Sequence, residues 1–398
     1  MKLLVATEFP PNAAGGGPAV VRQMLKEWPV QDLLWWSCLP QRDYRFGQRV
    51  QELYCATLPG KLYPNRKFAT AKSFILEAFW AKFAAHHLAK TLHESKPDVV
   101  WLIPHNWSIF PAARVLGRRF PRYHVTVQDY VDIHGNPLRF GVTRCRRMAA
   151  MTDELYAGAA TRDATSHPMI ADLLGRTGQP AAQMLHAGLE RADFEFLEGK
   201  SPRESPAIRI AYAGTILVEE VFELFVAAVE SIRSALARPV ELHLFAAHTY
   251  ARRQWFDQRW MVEHGNLPEP ELLVRLREYD WGFAPMALHD EDPRYNRFSF
   301  PTKFISYLAA GLPVITMGHA LSSVMKMAMR YDVGLCSRSG DTGALAAELK
   351  GALSAPSRWE RHREAILRCA RTEFDAARIR QTLYRCFSTC AESAANPR

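Results

Sequence analysis

Short apolar runs alternate with helical patterns twice along this chain, on either side of one polar stretch, and that alternation constrains its fold more than anything else. In the first half, strand-like runs read at residues 2–6, 32–37, 99–103 and 125–127, and another ends at Thr165-Ser166. Helical patterns lie near 70–95 and 108–118. An earlier helix, with Pro18 at its first position, carries Val20, Val21, Met24, Leu25 and Trp28 on one face. Residues 198–206 turn polar, Glu-Gly-Lys-Ser-Pro-Arg-Glu-Ser-Pro, and read as a linker. Alternation then restarts, with strands at 209–212, 241–245, 281–284 and 314–316 and helices at 219–232, 268–277 and 301–310; residues 357–390 are mostly helical. Such alternation predicts parallel sheets covered by helices. The expected fold class is therefore α/β, with two doubly wound, Rossmann-like domains at 1–199 and 200–370, followed by 371–398. Ligands of such sheets bind at the carboxyl ends of the strands, so a cleft between the halves is the expected site.

Composition narrows the class. Of 398 residues, 48% are apolar and 23% charged, which excludes a disordered or collagen-like chain. Seven cysteines without a Cys-x-x-Cys pair read as free thiols in a reducing compartment. The net charge of +9 is uneven, with +7 in residues 1–200 and +2 in residues 201–398. Residues 304–325 are uncharged but contain Gly311, Pro313 and Gly318, so they read as helix–turn–strand and not as a membrane span. The apolar run before Thr7 is four residues long, too short for a secretory signal, and the expected location is cytoplasmic.

Two segments carry candidate chemistry. Pro10-Pro11 followed by Gly15, Gly16 and Gly17 precedes a helix, and glycines there let a backbone approach a ligand while helix amides favour an anion. The spacing matches neither G-x-G-x-x-G nor the Walker pattern. A flexible turn is the plainer reading. In residues 299–315, Pro301 opens a helix, Phe304, Ile305 and Leu308 form its buried stripe, and Gly311 ends it. Ser299, Thr302 and Lys303 then stand at the helix start. A lysine there opposes the helix dipole, which suits a phosphate held by the helix N-terminus; a solvated lysine is the alternative. Asp290-Glu291-Asp292 spells D-x-D but reads as a solvated loop, and His86, His87 and His93 lack the spacing of a zinc site, so no metal is expected. Residues 61–96 interleave Lys61, Lys72, Lys82 and Lys90 with Phe68, Phe74, Phe79, Trp80 and Phe83, which suits a basic, aromatic face for anionic lipid, or else a core with solvated charges. No nucleic-acid-binding module appears.

The run Ser-Phe-Pro-Thr-Lys-x-x-x-Tyr-Leu-Ala-Ala-Gly-Leu-Pro-Val-Ile at 299–315 resembles the donor-binding helix of GT-B glycosyltransferases, most of all family 4. Glu8-Phe9-Pro10-Pro11 with the three glycines, Thr165-Ser166-His167-Pro168, His186-Ala187-Gly188-Leu189-Glu190 and Ala213-Gly214-Thr215 resemble further family elements in the expected order. The resemblance implies two facing domains, with the last helix crossing back to the first. It also implies a nucleotide sugar, such as a UDP-sugar, as co-substrate, with no cofactor or metal. Gly214, Thr215, Ser299, Thr302, Lys303, Ser306 and Tyr307 would hold the donor, and Gly15, Gly16 and Gly17 would face the acceptor. Phe298 and Ser306 stand where family 4 has two glutamates, and 216–220 lacks its Arg and Lys. These departures resemble inverting enzymes such as the xanthan glucuronosyltransferase, which implies a base at Asp129, with Asp132 in reserve. The implied acceptor is a glycan or polyprenyl-linked glycolipid of surface-polysaccharide assembly, met at the inner membrane face. A non-catalytic nucleotide- or glycan-binding partner subunit and an epimerase stay open as other readings.

Overall fold

The computed structural model describes residues 1–13, 15–41, 48–62, 68–116, 120, 122–132, 136–201, 205–289, 294–354 and 359–392. Its contacts divide the chain into two compact units. One holds Met1–Ala187 with Arg378–Arg398, the other Gly188–Ala377.

In the first unit, β1 (Leu3–Ala6), β2 (Leu33–Ser37), β3 (Glu52–Cys55), β4 (Val99–Leu102), β5 (Tyr123–Val127) and β6 (Thr161–Ala164) form a parallel sheet ordered β3-β2-β1-β4-β5-β6. The central strands are buried along their whole length, as strands covered on both faces must be. In the second unit, β7 (Ile208–Ala213), β8 (Val240–Phe245), β9 (Met261–Glu263), β10 (Trp281–Pro285), β11 (Val314–Met317) and β12 (Cys336–Ser337) repeat the order, β12-β11-β10-β7-β8-β9. Each sheet reverses direction beside its first strand, between β1 and β4 and between β7 and β10. In open α/β sheets such a reversal is where ligands bind, beyond the carboxyl ends of the strands.

The chain passes between units ahead of the polar stretch that was expected to link them. Glu198 and Gly199 close a helix, Arg191–Gly199, inside the second unit. Before it, Leu189 pairs with Asp375, and a Cβ on Gly188 would stand 2.5 Å from the Phe374 carbonyl oxygen, so only glycine fits. The Ala376–Glu392 helix seats Phe387 against Trp28, Trp101 and His124 of the first unit. Beneath it His124 Nε2 lies 3.0 Å from Asp163 Oδ2, both fully buried.

Two helix starts differ in detail from their sequence reading. The first helix begins at Gly16, so Pro18 is its third residue, still within the turn whose amides lack helical partners. Pro301 precedes the helix Thr302–Ala309 as its cap residue.

That helix shows why β10 begins Trp-Gly. A Cβ on Gly282 would lie 2.3 Å from the Tyr307 ring. Gly282→Ala should therefore destabilise the second unit by about 1–3 kcal/mol. A melting temperature equal to the parent's would show that Tyr307 can move aside.

Candidate functional site

The first unit gathers polar residues at its sheet reversal. Glu8 follows β1, His105 and Asn106 follow β4, and Gln128 and Asp129 follow β5. Glu8 is buried, and its carboxylate accepts from His105 Nδ1 at 2.9 Å, from Asn106 Nδ2 at 2.9 Å and from the Trp107 amide at 3.3 Å. Burial pushes the Glu8 carboxyl up, but these donors outweigh it and hold it below its usual range. Burial likewise opposes a charged His105, yet the bond to Glu8, its charge and that of Asp129 raise the imidazole above its usual value against Arg139. Each shift favours the charged form of its own group, and the ring is partly exposed. Asn106 holds a left-handed backbone, φ 42°, uncommon for a side-chain-bearing residue and a mark of a constrained site.

The structure brings Asp129 and the glycines to this same edge. Gln128 Nε2 donates to the Gly17 carbonyl at 3.3 Å, and a Cβ on Gly17 would meet Gln128 Oε1 at 2.5 Å. Gly15 takes φ 114° at the turn and caps the helix that contains Gly16 and Gly17. Asp129 is exposed beside this contact, close enough for its charge to act on His105. Asp132 differs. Its charge is felt by Cys145 and Asp153 on the helix Val142–Gly158.

The second unit presents a different chemistry at its own reversal. Gly214, φ 96°, and Thr215 are exposed just beyond β7. A Cβ on Gly214 would lie 3.8 Å from Lys303 Nζ, which places the ammonium at the carboxyl end of β7. Lys303 Nζ donates to Tyr212 Oη at 2.8 Å and sits 4.0 Å over that ring, while Tyr212 Oη donates to the Thr215 carbonyl at 2.7 Å. Burial lowers the Lys303 pKa to about 7. The helix it starts has no acidic residue in its first turn.

Not every expected donor contact points outward. Tyr307 is fully buried, its hydroxyl accepting from the Ala213 amide at 2.9 Å and donating to the Phe283 carbonyl at 3.1 Å. It ties β7 to β10 from within the core. Ser299 is buried and its carbonyl accepts from Ser323 Oγ, whereas Thr302 and Ser306 stand partly exposed one turn apart, Ser306 Oγ donating to the Thr302 carbonyl at 3.4 Å. Beyond Gly214 and Thr215 the next helix opens with Glu219, which pairs with Arg253 at 3.1 Å. Asp290, Glu291 and Asp292 lie outside the described residues. Among those described, no group of three or more His, Cys, Asp or Glu is arranged to hold a metal ion.

In the sequence Glu8 stands only as part of a loop, and no motif marks His105. The one signal for the pair was position, since each is the second or third residue beyond an apolar strand.

Solved structures share this architecture. The chain is similar to sucrose-phosphate synthase from Thermosynechococcus elongatus, at 14% identity and a TM-score of 0.71, covering 99% of each chain. It is similar to HepE of Anabaena in complex with UDP and glucose, at 12% identity and a TM-score of 0.65 over 98% of this chain and 100% of that one. A UDP-forming α,α-trehalose-phosphate synthase from Burkholderia vietnamiensis gives 13% and 0.64 over 98% and 99%. No protein-family model matches the chain, and no curated protein matches it by sequence. At these identities the likeness shows the fold, which is GT-B.

Proposed function

We propose that this chain is a glycosyltransferase that moves a sugar from a nucleotide-sugar donor to a hydroxyl of a glycan or glycolipid. The observation that carries the reading is Lys303. A cation bonded to a tyrosine hydroxyl at a strand end beside a glycine turn, with no carboxylate of the described residues paired to it, is suited to a diphosphate. Thr302, Thr215 and Gly214 stand around it and would complete the donor contacts, and Ser306 lies one turn along the same helix. Tyr307 and Ser299 would support them from inside. Uridine diphosphate as the donor nucleotide follows the structural neighbours that hold or form UDP.

In the first unit, Asp129 would accept the proton of the acceptor hydroxyl as that oxygen attacks the anomeric carbon, and the nucleoside diphosphate would leave with the bonding electrons. Attack opposite the leaving group inverts the configuration. His105, oriented and charged by Glu8, attracts Asp129 and would fix its position. Lys303 and the amides of its helix start would stabilise the departing diphosphate without a metal. This chemistry suits assembly of a surface polysaccharide.

A thermal-shift series with nucleoside diphosphates and nucleotide sugars, with and without EDTA, tests the reading. Ligands that bind the folded state raise the melting temperature. A rise of several degrees with one nucleotide series, unchanged by EDTA, is expected, followed by sugar transfer or slow donor hydrolysis. Binding without turnover of any nucleotide sugar would favour a non-catalytic subunit, a reading that the acidic helix start at Glu219 also suits. Conversion of the donor sugar without an acceptor would identify an epimerase.

A further inference from the structure

Residues 68–95 of the first unit form a helix that is apolar on two opposite sides. It runs as α-helix Ala69–Ile75, a π-helical turn Leu76–Trp80 and α-helix Ala81–Ser95. Its inner side, Ser73, Leu76, Trp80, Ala84 and Leu88, is buried. Its outer side exposes Phe74 by 62%, Phe79 by 71% and Phe83 by 55%, and Phe68, just before it, by 79%. Among the described residues these are all the exposed phenylalanines, and they sit on one element. Isolated exposed apolar side chains are ordinary, but a contiguous aromatic patch marks an interaction surface.

The neighbouring elements extend it. The short helix Asn136–Phe140 packs on Ala69–Ile75 and exposes Leu138 by 89%, and Val142 follows, also exposed. Phe68 holds a left-handed backbone, φ 55°, uncommon for an aromatic residue. The outer side turns polar beyond Phe83, at His86 and Lys90.

Charge identifies the partner. Residues 61–150 contain fifteen Lys and Arg against five Asp and Glu, so they carry the positive surplus of the whole chain. Between 68 and 93 the single acidic residue is Glu77, which is ion-paired to Arg144 at 2.8 Å and to Arg147. Lys82, next to Phe83 in sequence, is exposed, as are Arg146 and Arg147, of which Arg147 reaches this helix through Glu77. Exposed aromatic side chains on a strongly basic segment, with its one carboxylate neutralised, match the interface of an anionic bilayer, where rings enter the headgroup boundary and cations meet lipid phosphates. No described helix is long and apolar enough to cross a membrane, so attachment would be peripheral.

We propose that the face built from Phe68, Phe74, Phe79, Phe83 and Leu138 docks this protein onto anionic lipid bilayers. The buried inner side of the same helix backs onto the Glu8–His105 edge. Trp80 packs edge-on against Trp107 with centroids 6.2 Å apart, and the Trp107 amide binds Glu8. Docking would thus present that edge to hydroxyls borne on lipid. The docking itself does not rest on the transferase reading.

Cosedimentation with phosphatidylglycerol–phosphatidylcholine vesicles and with pure phosphatidylcholine vesicles tests it. The full-length chain should pellet with the anionic vesicles at low salt and be released at high salt. Phe74→Ser/Phe79→Ser should weaken binding at least tenfold with an unchanged melting temperature, because both side chains already face solvent. Lys82→Glu should weaken it less and flatten its salt dependence, because fewer contacts between cations and lipid phosphates remain to be screened. No binding at low salt overturns the proposal, as does equal binding by the double variant. A chain that is dimeric in sedimentation velocity, made monomeric by the double variant and indifferent to vesicles, would assign the face to a second copy instead.

Discussion

Replacing Lys303 by methionine is expected to lower kcat/KM by about two to three orders of magnitude, the usual cost of removing one preorganised donor from a developing anion. The melting temperature should stay level or rise. Lys303 is part-buried, and its neighbours among the described residues offer a hydroxyl and a ring but no carboxylate, so the folded state gains little from its charge. Its proton also links stability to pH. The folded-state pKa is lowered to about 7, whereas an unfolded lysine titrates near ~10.4. Between these values the unfolded chain binds more protons, so stability rises with pH over that window, and Lys303→Met should remove the slope. Donor affinity has the opposite sign. A diphosphate prefers the ammonium form, so its affinity should fall as pH climbs through about 7 and beyond. Lys303→Arg, always charged, should flatten that profile even if it binds less tightly. Calorimetry across pH 6–9 on the three proteins reads all of this. Undiminished donor affinity in Lys303→Met would remove the lysine from the site.

Much of the scaffold was legible because burial writes itself into sequence as periodicity. The helix Glu219–Ile232 and the central strands of both sheets carry continuous or 3.6-periodic apolar residues, and they lie where the pattern puts them. Three strands escaped notice for physical reasons. β3 is a partly exposed edge with one wholly exposed residue, while β9 and β12 have three and two residues, too short to show a period. The helix Val142–Gly158 hid behind Arg144, Arg146 and Arg147. Tyr307 follows the same periodicity one step further, so its side chain lies inside the core. Three residues after Phe304 and beside Leu308, it belongs to the buried stripe. The Glu8–His105 pair could not be found by spacing at all. Its members are 97 residues apart, and only the β1–β4 adjacency of the sheet joins them. Lys303 was the reverse case, since a lysine in the first turn against the dipole is a local conflict, and such conflicts concentrate at functional sites.

Asp129→Asn should abolish transfer, by about 10²- to 10⁴-fold in kcat, and leave donor affinity within about twofold, because the amide keeps the shape but cannot take a proton. The side chain is exposed, so the melting temperature should hold. Glu8→Gln separates the roles. It leaves the imidazole without its buried counter-charge, so His105 should titrate lower and the first unit should melt earlier, as happens when one partner of a buried pair is removed. The pH dependence follows from the directions of the two shifts. His105 is raised, so its contribution is present below the ordinary imidazole value and lost as pH rises through its folded value. Glu8 is lowered, so its contribution is lost only as pH falls through its depressed value. An alkaline fall in kcat that His105→Gln removes, while the alkaline fall in donor affinity persists, would place His105 beside the base and Lys303 beside the diphosphate. If Asp129→Asn instead retained more than a tenth of the parent kcat, the exposed carboxylate would not be the base. His105→Gln would then be the decisive variant. Loss of turnover without loss of donor binding in that protein, together with a parent kcat that rises with pH as the ring loses its proton, would move proton acceptance to the neutral imidazole, with Glu8 as the group that orients it.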